Sequence, residues 1–168
     1  SEVEGDGASP MSFWNLKGQV LIASNNITDT NAFFDRWLSF YPQDKNAVLG
    51  KLLILDTQRQ FREGLALTNK TLEKRSDAQL NLLKAYFHSR LGEVTPAWKI
   101  VNESSEEIKA LPFVRGIMAR LYMAEGKAAE ALPHALATYE ETQNSDNLLL
   151  LVAAYEAAGE SDKAFTTL

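Results

Sequence analysis

The 168-residue chain contains no cysteine. That excludes disulfides, thiolate metal sites and a cysteine nucleophile, and it suits either the cytoplasm or a bacterial periplasm. Histidine is nearly as scarce. His88 and His134 stand alone in different stretches, without a His-x-x-x-His pair, so the three or four clustered ligands that zinc requires are missing. Long apolar runs are also lacking. The longest, Leu148 to Tyr155, falls well short of the roughly 20 residues that span a bilayer, and no secretory signal pattern opens the sequence. There is no basic stripe: 17 Lys and Arg are mixed among 22 Asp and Glu, for a net charge of −5. That balance argues against nucleic acid as a partner.

The chain is equally poor in catalytic patterns. No Gly-x-Gly-x-x-Gly, Gly-x-x-x-x-Gly-Lys or Gly-x-Ser-x-Gly occurs, which leaves phosphate cradles and nucleophile elbows unsupported. Glu106-Glu107 and Glu140-Glu141 are carboxylate pairs, expected near helix C-termini. Neighbours on a helix point about 100° apart and cannot share one reacting atom. The chain is expected to be no enzyme, with no cofactor and no metal.

What the sequence does contain is repetition. Leu121-Tyr122-x-x-x-Gly126 followed by Ala131 returns as Ala154-Tyr155-x-x-x-Gly159 followed by Ala164. A fixed period in the range of about 20–50 residues marks a repeat array. Within one period, Phe113, Val114, Ile117, Met118, Leu121 and Tyr122 fall at helical spacing on one broad face. Gly126 follows where a helix end favours positive φ. Ala131, Leu132, Ala135, Leu136 and Tyr139 then outline a second helix. Such a hairpin cannot bury its own face and must stack on neighbours.

The pattern resembles the tetratricopeptide repeat family, whose signature runs Trp-x-x-Leu-Gly-x-x-Tyr, then Ala-x-x-x-Phe, then Pro, over about 34 residues. Placing Gly126 and Gly159 on the family's interhelix turn sets units at about 11–44, 45–77, 78–111, 112–144 and a truncated 145–168. The first unit carries Trp14, Gly18, Leu21, Phe34 and Pro42 in register. The second keeps Leu52, Leu55, Phe61 and Leu65, and the third Ala85, Gly92, Ala97 and Val101. Asn25 and Arg59 depart from the pattern at the turn, Thr30 and Gly64 at an alanine position, and His88 at the tyrosine. The resemblance implies an all-α, right-handed α-solenoid of antiparallel helix pairs over residues 11–168. Residues 1–10, acidic and almost free of large apolar groups, are expected to be a flexible tail or linker.

Local punctuation adds finer expectations. Thr28 and Asp29 are candidate caps for the second helix, and Thr95-Pro96 an N-cap and first-turn proline. Pro133 should bend the helix it interrupts without breaking it. His88 is expected in the core and His134 in solvent.

The resemblance also implies a function: a protein-interaction scaffold that takes an extended peptide or a partner helix on its concave face. In this family that face is lined by the second, fifth, ninth and twelfth positions of each unit. The candidate partner-binding residues carried over are Asn15, Gln19, Asn46, Asp56, Gln79, Tyr86, Arg120 and Met123. At the same positions Leu49, Leu53, Leu82 and Phe113 are equally compatible with packing on the next repeat. The family's grip on a chaperone's terminal carboxylate uses Lys at the fifth and Asn at the ninth position of its first unit. Asn15 and Gln19 stand there instead, so that clamp is missing. The resemblance extends to larger bacterial repeat lipoproteins. The alternative role is a regulatory or substrate-docking arm of a larger enzyme, or of a bacterial export or assembly system. Self-association through an uncapped C-terminal end is a further expectation.

Overall fold

Residues 11–168 are described in the computed structural model, and among them every regular element is a helix. In chain order these are α1 (Met11–Ala23), α2 (Ile27–Phe40), α3 (Lys45–Thr57), α4 (Phe61–Leu72), α5 (Ala78–Arg90), α6 (Val94–Glu103), α7 (Glu106–Lys109), α8 (Pro112–Ala124), α9 (Ala128–Glu141), α10 (Ser145–Ala157) and α11 (Ser161–Thr167). The tail expected for residues 1–10 lies outside the described residues. The chain divides into two compact units, one ending at Asp77 and the other beginning at Ala78. In the first, each helix from α1 to α4 packs on its neighbour in sequence, and α1 also meets α3. In the second, α5 packs on α6, α8 on α9, α9 on α10 and α10 on α11, while α5 and α6 both reach α8.

Four helices, α2, α3, α7 and α10, start where a polar side chain accepts from a free N–H group. Asp44 accepts from Ala47 N at 2.9 Å to open α3, and Asn144 accepts from Asn147 N at 2.9 Å to open α10. Pro112 occupies the first turn of α8, where its missing N–H costs nothing. The helix pairs turn through a recurrent left-handed residue: Asn25, Arg59, Gly92, Gly126 and Gly159 all have positive φ. At four of these turns the next N–H reaches back five residues to a helix carbonyl. The bonds are Gln60 N to Leu55 O, Glu93 N to His88 O, Lys127 N to Tyr122 O and Glu160 N to Tyr155 O, all 2.8–2.9 Å. This is the Schellman closure, and it requires the left-handed residue.

Gly126 shows the requirement in isolation. Its φ is +73° and a Cβ there would meet nothing within 4 Å, so a side chain would add backbone strain without a clash. Gly126→Ala should therefore lower stability by about 1–2 kcal/mol, read as a shift of the urea midpoint at unchanged slope. An unchanged midpoint would contradict the turn assignment.

The first turn is built differently. Thr30, buried in α2, places its hydroxyl 2.6 Å from Asn26 O and 3.0 Å from Leu21 O. Leu21 O also accepts the Ser24 hydroxyl at 2.7 Å. The Ser24 hydroxyl thus occupies the carbonyl that the closing backbone N–H takes at the other turns, and the single Thr30 O–H is nearest Asn26 O.

An aromatic cluster forms the first core. Trp14, Phe33, Phe34 and Trp37 are buried together with Ala47 and Ile54, with Phe34 stacked on Trp37 at 5.5 Å between centroids. The indole N–H groups of Trp14 and Trp37 are buried without a hydrogen-bond partner among the described residues. Each omission costs roughly 1–3 kcal/mol, comparable with the several kcal/mol that burial of such a ring contributes. The second unit uses smaller side chains: Ala85, Ala97, Ile100, Val101, Val114, Ile117, Met118 and Leu121 in one cluster, and Ala119, Ala135, Leu151 and Ala154 in another. Buried alanines let α8, α9 and α10 approach closely.

Several local expectations need correction. The cap of α2 is Asn26, which accepts from Asp29 N at 3.1 Å, so Thr28 and Asp29 lie inside the first turn. Helix α6 begins at Val94 behind Glu93, which puts Thr95 within the helix. Glu106-Glu107 sit at a helix N-terminus, not a C-terminus: Ser105 caps the short α7 that they open, at 3.3 Å to Ile108 N. Carboxylates there suit the positive end of the helix dipole. Pro133 lies inside α9, which continues through to Glu141.

Candidate functional site

The sequence-designated residues fall in both units. Asn15, Gln19, Asn46 and Asp56 belong to the first, and Gln79, Tyr86, Arg120 and Met123 to the second.

In the first unit, α1 and α3 border an open groove of about 250 Å³. Asn15, Gln19 and Ile22 line it from α1, and Asn46, Leu49 and Leu53 from α3. These six occupy the fifth, ninth and twelfth positions of one helix and the second, fifth and ninth of the other. Asp56, half-buried at the end of α3, is outside the lining. The floor is formed by Phe34 and Trp37 from α2, reached between Gly18 and Gly50. Close packing explains both glycines: a Cβ on Gly50 would lie 2.0 Å from Phe34 Cε1, and one on Gly18 would lie 3.1 Å from Phe34 Cζ and from Trp37 Cζ3. The floor was not legible as part of a site. The available signal was Gly50, a glycine inside a helical pattern and away from any turn, which commonly has a packing reason.

Among the described residues no charged side chain lines this groove. Its polar groups are three carboxamides, and two of them are bonded to each other. Asn46 Nδ2 donates to Asn15 Oδ1 at 2.7 Å, and Asn15 Nδ2 donates to Met11 O at 2.9 Å. Its apolar groups remain open to solvent, Leu53 at 48% and Ile22 at 40% exposure. Leu82, by contrast, is partly buried against the core of the second unit.

In the second unit, Tyr86, Phe113 and Arg120 come together. The Tyr86 and Phe113 rings are 5.5 Å apart, and the Arg120 guanidinium lies 5.9 Å from the Tyr86 centroid. Arg120 Nη1 also donates to Gly116 O at 3.3 Å. Met123 is not part of this group. It packs against the cluster around Ala119 and Leu151, a structural position. Gln79 is exposed near the start of α5 and joins neither arrangement.

The two histidines are each held by a neighbour. His88 is buried and its Nδ1 lies 2.6 Å from Glu93 Oε2, across the turn between α5 and α6. His134, expected in solvent, is instead half-buried. Its ring stacks on Tyr122 at 5.7 Å, and its Nδ1 accepts from Arg115 Nε at 3.2 Å. Burial first, and the Arg115 charge second, hold its pKa below the ordinary 6.5. Between 6.5 and that lowered value the unfolded chain binds the proton more readily, so stability falls as pH falls through the window. His134→Gln should flatten the dependence of melting temperature on pH just below 6.5, and an unaltered slope would contradict the burial of the ring in this setting. Among the described residues no group of three or more His, Asp or Glu could hold a metal ion, and no helix is long and apolar enough to cross a membrane.

Solved structures show what this arrangement of helix pairs is. A tetratricopeptide repeat protein from Parabacteroides merdae superposes with a TM-score of 0.72 at 12% identity, over 97% of this chain and 65% of that one. The chain has the tetratricopeptide-repeat fold. A structure of the APC/C hetero-tetramer Cut9–Hcn1 contains a chain matching with a TM-score of 0.73 at 15% identity, over 92% of this chain. This chain spans only 31% of that one. YrrB, described as a TPR protein with an unusual peptide-binding site, matches with a TM-score of 0.56 at 17% identity, over 92% of this chain and 80% of its own. No family model and no curated protein sequence matches the chain. At these identities the likeness concerns the fold alone. Within the tetratricopeptide-repeat fold, the positive-φ residues at 25, 59, 92, 126 and 159 are its turns between paired helices.

Proposed function

We propose that this chain is a non-enzymatic protein-interaction module, and that the groove between α1 and α3 receives an extended stretch of a partner protein. One observation carries the reading. Six side chains from the same face of two helices converge on an open, uncharged groove, with carboxamides for main-chain contacts and exposed aliphatic groups for side-chain burial. The fold supports a protein partner, since stacked helical hairpins present extended concave surfaces, and YrrB is described as having a peptide-binding site. The aromatic cluster beneath the groove holds its floor rigid, which limits the ordering cost on binding.

The test is a selection of random peptides, each about twelve residues long, displayed as internal segments against the whole chain. Recovered peptides are then titrated into the isotopically labelled protein. Shifts concentrated in α1 and α3, including the side-chain amides of Asn15, Gln19 and Asn46, are expected. Shifts confined to α8–α11, or the recovery of no binding peptide, would overturn the assignment of the groove.

A further inference from the structure

The hydrogen bonds at the rim fix more than the position of the asparagines. Met11 O is a carbonyl and can only accept, so the Asn15 atom at 2.9 Å from it must be the NH2 group. Asn15 Oδ1 is thereby turned towards Asn46, and an amide oxygen can be met there only by a donor, which is Asn46 Nδ2 at 2.7 Å. Asn46 Oδ1 is the atom left over. Among the described residues it has no donor, its residue is exposed, and it borders the groove. One N–H of Asn46 is also unused. A carboxamide with one acceptor and one donor available, locked in orientation by a neighbour, matches the N–H and C=O that an extended main chain presents.

The rest of the lining restricts what that main chain can carry. Ile22, Leu49 and Leu53 form the apolar side of the groove, and no cation among the described residues lines it. A carboxylate placed there would lose water without gaining a counter-charge, which is costly even in partial burial. An aliphatic side chain gains from the same burial.

Resting on the groove reading above, we propose that Asn46, oriented by Asn15, is a main-chain reader for an internal, uncharged, extended segment. Asn46 Oδ1 accepts a backbone N–H of that segment, and an aliphatic side chain close to the bonded peptide unit lies over Ile22, Leu49 and Leu53. The partner is recognised by an uncharged stretch within its chain, not by a terminal carboxylate or an acidic motif.

The experiment uses one peptide recovered by selection and the whole protein. Each backbone amide of the peptide is methylated in turn, which deletes one N–H, and affinity is measured for the parent chain and for Asn46→Leu. One methylation is expected to weaken binding to the parent by about tenfold or more and to weaken binding to Asn46→Leu far less. Amidation of the peptide's C-terminus should change nothing, and Asp in place of the anchoring aliphatic residue should cost about tenfold or more. Shift mapping of the bound peptide separates the two proposals. Binding outside α1 and α3 removes the groove and this inference together. Binding in the groove with no methylation coupled to Asn46, or binding that tightens with a free carboxylate or the Asp substitution, overturns this inference and leaves the groove standing. Asn15→Ala supplies a second check, since loss of the orienting bond should reduce the coupling while the fold is kept.

Discussion

Gly50→Ala is expected to destabilise the protein, although it replaces glycine by the best helix former in the middle of a helix. Helix propensity alone favours alanine by about 1 kcal/mol. Against it stands the Phe34 ring, whose Cε1, Cζ and Cδ1 lie 2.0, 2.4 and 2.6 Å from the site of the new Cβ. Carbon atoms prefer separations of about 3.5–4.0 Å, so the ring must move by more than 1 Å. It has little room: Phe34 is 2% exposed, stacked on Trp37 and edge-on to Phe33 at 5.6 Å. Overpacking of this kind costs roughly 1–3 kcal/mol and occasionally more, enough to outweigh the propensity gain. With about 2–4 °C per kcal/mol for a chain of this size, a melting temperature lowered by several degrees should be seen. Phe34→Leu should relieve much of the clash, making Gly50→Ala cheaper in that background. A stabilised Gly50→Ala variant would show that Phe34 does not lie against Gly50 as described.

Leu53→Arg is expected to abolish peptide binding while sparing the fold. The side chain is 48% exposed and lies on the groove rather than in the core, so an exposed arginine costs little stability, within about 0.5 kcal/mol. In the groove the same change removes an aliphatic wall and adds a charge that a neutral segment cannot pair. A loss of more than about tenfold in affinity, roughly 1.4 kcal/mol, should accompany an unchanged melting temperature. The matched control is Leu149→Arg in α10, at 57% exposure and in the other unit, for which no loss is expected. Equal affinity for parent and Leu53→Arg would show that the groove is not the site.

Much of the fold was legible because its punctuation repeats. Gly92, Gly126 and Gly159 mark turns by residue type alone, since the left-handed region favours glycine. Asn25 and Arg59 could be placed only by counting from the other three, and both have positive φ. The four-residue α7 escaped notice because so short a helix shows no period, and Glu106-Glu107 was misplaced with it. The cap of α2 was missed because Asn26, Thr28 and Asp29 are all competent capping residues, and composition cannot rank them. For the candidate site, repeat phase brought Asn15, Gln19 and Asn46 to one groove. It could not show that Asp56 lies beyond the lining or that Met123 is taken up by packing, because both depend on the neighbouring helices. The exposure of Leu53 and the burial of Leu82 were open for the same reason. Only Gly50 hinted that a side chain approaches there, and that Phe34 reaches the groove floor between two glycines is a matter of side-chain volume rather than spacing.

The most direct test of the groove is distance information on a bound peptide. With methyl-labelled protein and an unlabelled selected peptide, intermolecular nuclear Overhauser effects can be collected from the methyl groups of Ile22, Leu49 and Leu53. The account predicts strong effects from all three to the protons of one aliphatic peptide side chain. Effects arising instead from Met123 or other methyl groups of the second unit, with none from these three, would contradict it.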